Sequence, residues 1–135
     1  MLEPKRRKYR KEFRGRRRGL SIRGADLSFG EYGLKSLGRG WLSSKQIEAG
    51  RRAITYSLRK GGKVWIRVFP AKPVTSRPAG HRMGGGKGEI DRYVAVVRPG
   101  KILYEVAGIS EDLAKSTFAK VSAKMPFKTK FISKI

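Results

Sequence analysis

The chain has 135 residues, of which 33 are Lys or Arg and 10 are Asp or Glu, so its formal net charge is +23. This charge favours a polyanionic partner, and nucleic acid is the first candidate. The lack of cysteine excludes disulfides and thiolate metal sites. No apolar run reaches the length of a membrane-spanning helix. The length allows one domain with a modest core, since 39% of the residues are hydrophobic.

Residues 1–19 are strongly basic and contain only two acids, Glu3 and Glu12. Like charges repel here, and the few apolar side chains cannot offset the entropy lost on ordering. We therefore expect an N-terminal arm over residues 1–19 that orders on RNA, followed by a single α+β domain over residues 20–135. The basic residues of the arm are the first candidate RNA ligands: Lys5, Arg6, Arg7, Lys8, Arg10, Lys11, Arg14, Arg16, Arg17 and Arg18.

Recurring glycines between residues 20 and 42 predict one or two short strands with tight turns. A helix is predicted over residues 44–60, because Ser43 and Gln46 have the spacing of a capping box and Lys60 precedes two glycines. Its apolar face is expected to bury Ile47, Ile54 and Leu58, with Gly50 allowing a close approach.

A second face of this helix is basic. Lys45, Arg52 and Arg59 recur every seven residues, and Glu48 can pair with Arg52 one turn later. An ordinary solvated charged face is the plain alternative, but the net charge favours a row that faces RNA phosphates. These three residues and Lys60 are the second set of candidate RNA ligands.

Alternation predicts a strand over residues 63–69, with Trp65 in the core rather than serving as a platform for bases. Residues 93–97 and 102–107 are predicted to pair as a hairpin through the turn at Pro99-Gly100. A second helix is predicted to start after Ser110 and to end before Pro126, and a last strand covers residues 127–132. The buried face of the second helix should carry Ala114, Phe118, Val121 and Met125. The fold class is α+β, with two helices packed on a mixed or antiparallel sheet.

Residues 70–90 are rich in proline and glycine, and such long loops are usually functional. The prolines stiffen the first half, while the glycines let the backbone approach a phosphate. A nucleotide-binding loop is excluded, because His81 and Gly88 occupy positions where the P-loop pattern requires Gly and Ser or Thr. His81 is the only histidine and has no metal-ligand neighbours. We expect no enzyme, no cofactor and no metal site.

Several short stretches match one known family in order along nearly the whole chain. They include Pro4-Lys5-Arg6, Phe29-Gly30, Gln46-Ile47-Glu48-Ala49, Lys63-Val64-Trp65-Ile66-Arg67-Val68-Phe69-Pro70, Lys72-Pro73-Val74-Thr75, Arg82-Met83-Gly84, Gly86-Lys87-Gly88 and Pro99-Gly100-Lys101-Ile102-Leu103-Tyr104-Glu105. The chain thus resembles the bacterial and plastid family of large-subunit ribosomal protein L-sixteen, within a superfamily that includes the archaeal and eukaryotic L-ten-e proteins. Three sites depart from residues common in that family, namely Ala71, Gly85 and Arg92-Tyr93.

The resemblance implies a fold of α/β-hammerhead type that binds large-subunit ribosomal RNA near the base of the central protuberance and beside the aminoacyl-tRNA site. It also implies that the long loop contacts tRNA in the A site, with P-site tRNA and neighbouring large-subunit proteins as further partners. The tRNA-proximal residues would be Arg77, His81, Arg82 and Lys87. The expected location is the bacterial cytoplasm or the plastid stroma, without a membrane partner or a homo-oligomer.

Two other classes of protein fit the charge alone. A free architectural or antitermination-like protein would bind generic duplexes as tightly as ribosomal RNA. A cationic membrane-active protein would bind anionic vesicles and become helical there, although the basic arm lacks the apolar stripe of an interfacial helix.

Overall fold

The computed structural model describes residues 2–6, 9–12, 14–15, 17–58, 61–76 and 87–134. Within these residues the elements are β1 (Tyr32–Ser36), β2 (Gly40–Ser43), α1 (Ser44–Ser57), β3 (Lys63–Ile66), β4 (Lys72–Ser76), β5 (Glu89–Val97), β6 (Ile102–Ala107), α2 (Glu111–Ser122) and β7 (Thr129–Ser133). The α+β class with two helices is therefore confirmed, and every described strand pair is antiparallel.

The strands form a four-stranded sheet in the order β3-β6-β1-β7 and a three-stranded sheet in the order β2-β5-β4. The predicted hairpin of residues 93–97 and 102–107 is wrong, because β5 and β6 lie in different sheets. The turn itself is present, since the Lys101 amide donates to the Arg98 carbonyl at 3.2 Å and Gly100 has a φ of +97°. A turn signal is local, so it does not specify which sheet each flanking strand joins.

The predicted loop over residues 70–90 is also shorter than expected. β4 and β5 pair within it, up to Ser76 opposite Glu89. Pro73 lies inside β4, and a proline is tolerated there because β4 is an edge strand that needs ladder hydrogen bonds on one side only. The remaining connection spans residues 77–88, of which 77–86 lie outside the described residues.

Helix α1 begins as the sequence predicts. The Gln46 amide donates to Ser43 Oγ at 3.2 Å, and the Ser43 amide donates to Gln46 Oε1 at 2.9 Å, which completes the capping box. The helix ends at Ser57, three residues earlier than predicted. There the amide of the capping residue, Leu58, is shared between the carbonyls of Ile54 and Thr55, as is common where a last turn tightens.

The core lies where the two helices pack on the sheets. Gly50 faces Tyr104, which is fully buried and donates to the Ile47 carbonyl at 2.6 Å. A Cβ on Gly50 would lie closer to the Tyr104 hydroxyl than van der Waals contact allows, so the predicted close approach is confirmed. Burial raises the pKa of Tyr104 well above its usual value. The predicted core residues of the helices are buried: Ile47, Ile54, Leu58, Ala114, Phe118 and Val121, with Met125 packed partly buried against them.

A buried carboxylate fixes the outer face of the four-stranded sheet. Glu105 Oε1 accepts the three amides of Ser28, Phe29 and Gly30 at 3.0, 2.9 and 2.9 Å. Its other oxygen accepts from the Arg67 guanidinium. Burial alone would raise the pKa of Glu105, but these amides and Arg67 together hold the pKa below its usual range.

Trp65 lies beside this network rather than in the core, so the prediction of a core position is wrong. Its side chain is partly buried and stacks on Phe29, with ring centres 6.1 Å apart and planes at 21°. Trp65 and Glu105 are directly opposite each other in neighbouring strands, which places both side chains on the outer face. Val64 and Ile66 alternate with Trp65 and are the side chains of this strand that pack against the core.

Candidate nucleic-acid interface

The outer face of the three-stranded sheet carries an aromatic side chain and a lysine. Trp41 on β2 lies opposite Val96 on β5, and Lys72 on β4 lies opposite Val94. Since side chains alternate along a strand, these residues share one face, while Leu42 points the other way and is fully buried. The fold therefore directs Trp41 away from the core.

The N-terminal arm crosses this face. The guanidinium carbons of Arg14 and Arg17 lie 6.0 and 5.3 Å from the centre of the Trp41 ring system, and the Lys72 ammonium lies 5.8 Å from it. These distances fall within the range of cation–π attraction. Trp41 thus lies in cation–π range of cations from two distant parts of the chain, the N-terminal arm and β4.

The body of the protein holds the arm by its main chain. Lys72 Nζ donates to the Arg14 carbonyl. Arg39 Nη1 donates to the Arg17 carbonyl at 2.9 Å, and Arg98 Nε donates to the Arg18 carbonyl at 3.0 Å. A carbonyl satisfies a donor without neutralising its charge. We call the residues of this region the arm-sheet patch: Arg14, Arg17, Arg18, Arg39, Lys72 and Arg98.

Two contacts tie an earlier part of the arm to the end of the β4-β5 hairpin. Arg10 Nη2 lies 3.1 Å from Glu89 Oε2, with both side chains more than two thirds exposed. Lys11 Nζ donates to the Lys87 carbonyl at 3.1 Å. Exposed pairs of this kind contribute little stability, but they place the arm beside the connection that follows β4.

The arm-sheet patch contains a shallow, open, basic cleft of about 480 Å³, lined by Arg14, Gly15, Arg17, Arg18 and Arg39. Arginine presents a planar fork of donors that fits phosphate oxygens in pairs. Gly15 has a φ of +71°, so the arm bends here in a conformation that side chains disfavour. The cleft offers arginine donors of the kind that bind phosphate.

Two buried donors in this region lack acceptors in the part of the chain that the structure describes. They are Arg17 Nε and Trp41 Nε1. Buried polar groups in native proteins normally have partners, and an unsatisfied donor is costly. An acceptor from a bound molecule, reached by a small movement of the arm, would satisfy them.

The basic row of α1 lies next to this region. Lys45 lines a groove of about 750 Å³ together with Trp41 and Arg92, and with two acids, Glu3 and Asp91. The groove connects the start of the arm to the start of α1.

Further along α1, Arg52 is exposed and its Nε lies 3.3 Å from Glu48, so the predicted pair is present. The main partner of Glu48 is Arg51, whose hydrogen bonds lower the pKa of Glu48 to about 2.

The structure thus brings some of the predicted residues together and leaves others apart. Arg14, Arg17 and Arg18 converge with the sheet, whereas Lys5, Arg6 and Arg52 are exposed without joining the patch. The following predicted residues lie outside the described residues: Arg7, Lys8, Arg16, Arg59, Lys60, Arg77, His81 and Arg82.

Sequence reasoning missed Arg39, Trp41 and Arg98, and it did not count Lys72 among the RNA ligands. A signal for Trp41 was available, because Gly40, Trp41 and Leu42 alternate and a buried leucine directs its neighbour outward. The partners of Trp41 are distant in sequence, so no local pattern reveals them.

Among the described residues, no cluster of three or more His, Cys, Asp or Glu side chains could hold a metal ion. Within the same residues, none of the helices combines the length and apolar character needed to cross a bilayer.

A protein-family model described as ribosomal protein L16p/L10e matches residues 4–132. The match covers nearly the whole chain, so the protein is of the ribosomal class, an RNA-binding structural component of translation rather than an enzyme. More narrowly, the chain belongs to the ribosomal protein L16p/L10e family, a structural constituent of the large ribosomal subunit. The resemblance noted in the sequence is confirmed.

Proposed function

We propose that the arm-sheet patch is the surface by which this protein binds large-subunit ribosomal RNA near the base of the central protuberance. The observation that carries the proposal is the convergence of arm and sheet cations around Trp41, where their hydrogen bonds go to carbonyls, which do not neutralise a positive charge. Such a cluster repels itself in the free protein, and RNA phosphates relieve that repulsion while releasing counterions.

Recognition through this patch rests on shape. Its cleft is lined by arginines, and Arg39 holds the main chain of Arg17 beside it. Arginine both binds phosphate through paired hydrogen bonds and stacks on bases. The remaining basic residues of the arm and the α1 row, from Lys45 to Lys60, extend the surface. In this proposal residues 1–19 act as the RNA-binding arm of a single domain over residues 20–135, with the two packed sheets as its hammerhead.

We further propose that the connection after β4 contacts tRNA in the A site, with P-site tRNA and neighbouring large-subunit proteins as additional partners. The antiparallel pairing of β4 and β5 supports this, because it brings Ser76 and Glu89 side by side, so that the connection starts and returns at the same end of this strand pair. Its candidate residues are Arg77, His81, Arg82 and Lys87. The ribosome in question would be that of a bacterium or a plastid.

The proposal is tested by sedimentation of native lysate in sucrose gradients at low and high salt. We expect the wild-type protein in the large-subunit fraction at both salts. A variant with Arg14, Arg17 and Lys72 replaced by alanine should leave that fraction at high salt, whereas a variant with Lys120, Lys124 and Lys128 replaced should remain. Equal retention of both variants would contradict the assignment of the arm-sheet patch.

The tRNA contact is tested separately. Arg82→Ala should leave incorporation into large subunits intact and slow the accommodation of aminoacyl-tRNA, because the arginine lies in the connection and not in the arm-sheet patch. Accommodation kinetics on reconstituted ribosomes measure this directly, and unchanged kinetics would refute the contact.

A further inference from the structure

Phe29 is an exposed aromatic side chain on a rigid support. Its side chain is 59% exposed, yet its own amide and the amides of Ser28 and Gly30 donate to the buried Glu105 carboxylate. The hydrogen bonds fix the main chain that carries the ring. A surface ring that is already held in place loses little entropy when it binds a partner.

The ring is supported from the sheet. Trp65 stacks on Phe29 at 6.1 Å, and the guanidinium carbon of Arg67 lies 5.1 Å from the Phe29 ring centre. Trp65 and Arg67 are two residues apart, so both reach Phe29 from the same face of the extended segment. Much of the Phe29 ring remains exposed to solvent.

Lysines also lie on this side of the protein, near the segment that carries Trp65 and Arg67. Lys63 is exposed and lies two residues before Trp65 on the same face of β3. Lys101 is a further cation on this side of the protein, and burial and then the positive charge of Arg67 lower its pKa. An aromatic ring flanked by cations is the arrangement by which proteins hold unpaired bases, because the ring stacks on the base and the cations follow the phosphates.

We propose that Phe29, backed by Trp65, stacks on an unpaired base of the bound ribosomal RNA, with Lys63 beside the adjoining phosphate. Arg67 is a positioning residue, because Glu105 neutralises its charge and its guanidinium group lies against the Phe29 ring. The inference deepens the proposed RNA-binding function and rests on it. It assigns an unpaired nucleobase to this surface because the exposed Lys63 on the same strand and the net charge of +23 match a phosphate chain better than the apolar surface of a protein.

The test compares strands that differ only in their bases. The full-length protein is titrated with a short oligoadenylate, with an abasic ribose-phosphate strand of equal phosphate number, and with an RNA duplex. We expect wild-type protein to bind oligoadenylate roughly five- to tenfold more tightly than the abasic strand, as one stacked base would provide. Equal affinities for the two strands overturn the inference, and this comparison needs no variant.

Variants locate the preference on the ring. Phe29→Leu keeps apolar contact with Trp65 and should abolish the preference for oligoadenylate while leaving duplex affinity unchanged. Phe29→Tyr should retain the preference, as should Leu37→Ala, which removes another exposed apolar side chain, 50% exposed, elsewhere on the surface. A Phe29→Leu protein that folds and still prefers oligoadenylate would overturn the assignment.

Failure of the proposed function gives a different result. In that case wild-type protein binds neither the duplex nor the abasic strand with a steep dependence on salt. Loss of the base preference alone, with salt-dependent binding intact, contradicts only the stacking site.

Discussion

The outer faces of the two sheets use arginine in opposite ways. On the four-stranded sheet, Arg67 meets the buried carboxylate of Glu105, and three amides occupy the other oxygen. On the three-stranded sheet, Arg17 and its neighbours meet main-chain carbonyls and the Trp41 ring. The charge of Arg67 is neutralised by a carboxylate, whereas carbonyls do not neutralise the charge of Arg17 and its neighbours.

The difference separates folding from binding. A buried cation that is paired with a carboxylate and fully hydrogen-bonded connects two parts of the fold. Removing one partner of such a pair is strongly destabilising. A cation that meets only carbonyls keeps its charge and attracts an external anion. Substitutions at Glu105 should therefore mainly lower stability, whereas substitutions in the arm-sheet patch should mainly weaken RNA binding.

The largest effect is expected from Glu105→Gln. The substitution leaves the Arg67 charge, only 15% exposed, without its carboxylate, so we expect the free energy of unfolding to fall by about 3 kcal/mol. Denaturant titration of the free protein measures this. A loss near zero would show that the four-stranded face is not held by its charge pair.

The pH dependence of stability should report the same carboxylate. Because the folded-state pKa of Glu105 is lowered, its contribution is present above about 4.5, the usual pKa of a glutamate, and is lost as pH falls through the lower folded value. Wild-type protein should therefore lose stability below that pH more steeply than Glu105→Gln. Glu48, whose pKa is about 2, also contributes to the loss of stability at acid pH. The variant Glu48→Gln measures how much of that loss is due to Glu48.

That control gives a clear outcome. If Glu48→Gln rather than Glu105→Gln flattens the fall in stability at acid pH, then the partly buried pair of Glu48 and Arg51 on α1, and not the pair of Glu105 and Arg67, controls acid stability. Such a result would contradict the account of the four-stranded face.

A smaller loss in the free energy of unfolding is expected from Gly50→Ala. This substitution changes only packing and no charge, so it serves as a reference for the effect of Glu105→Gln. Alanine favours the helix by up to about 1 kcal/mol, but its Cβ would overlap the buried Tyr104 hydroxyl, and overpacking costs about 1 to 3 kcal/mol. We expect a net loss of about 1 kcal/mol by denaturant titration, partly relieved in combination with Tyr104→Phe. A net gain would mean that Tyr104 moves aside at no cost.

The smallest effect on stability is expected from Trp41→Leu. The substitution removes the cation–π interactions of the arm, each worth about 0.5 to 1 kcal/mol at exposed sites, while relief of like-charge repulsion offsets part of that change. The free energy of unfolding should change by less than about 1 kcal/mol, with weaker RNA binding at constant salt. A destabilisation as large as that of Glu105→Gln would place Trp41 among the residues that hold the fold.

Local signals in the sequence predicted much of the fold. The capping box at Ser43 and Gln46 sets the start of α1, because both partners lie within one turn. Ser110 caps α2 for the same reason, accepting from the Leu113 amide at 3.3 Å. The turn at Pro99-Gly100 was likewise predicted, since a turn depends on adjacent residues.

Contacts between distant residues were not predictable in the same way. The assignment of β5 and β6 to different sheets depends on strand pairing across the whole chain, and the docking of Arg14 on Trp41 joins residues 27 positions apart. Glu105 was not singled out, although a glutamate in the apolar run from 102 to 107 is an unusual buried charge. The composition predicted that basic residues bind RNA. The fold determines which of these residues come together in the arm-sheet patch.

The salt dependence of ribosomal RNA binding tests the central claim most directly. Replacing Arg14, Arg17 and Lys72 by alanine should reduce the slope of log affinity against log salt by about 0.7 to 0.9 for each phosphate that the variant no longer neutralises. Replacing Lys120, Lys124 and Lys128, which are exposed on and after α2, removes the same charge and should change the slope much less. Equal reductions in the two variants would mean that net charge, and not the convergence of arm and sheet, directs binding.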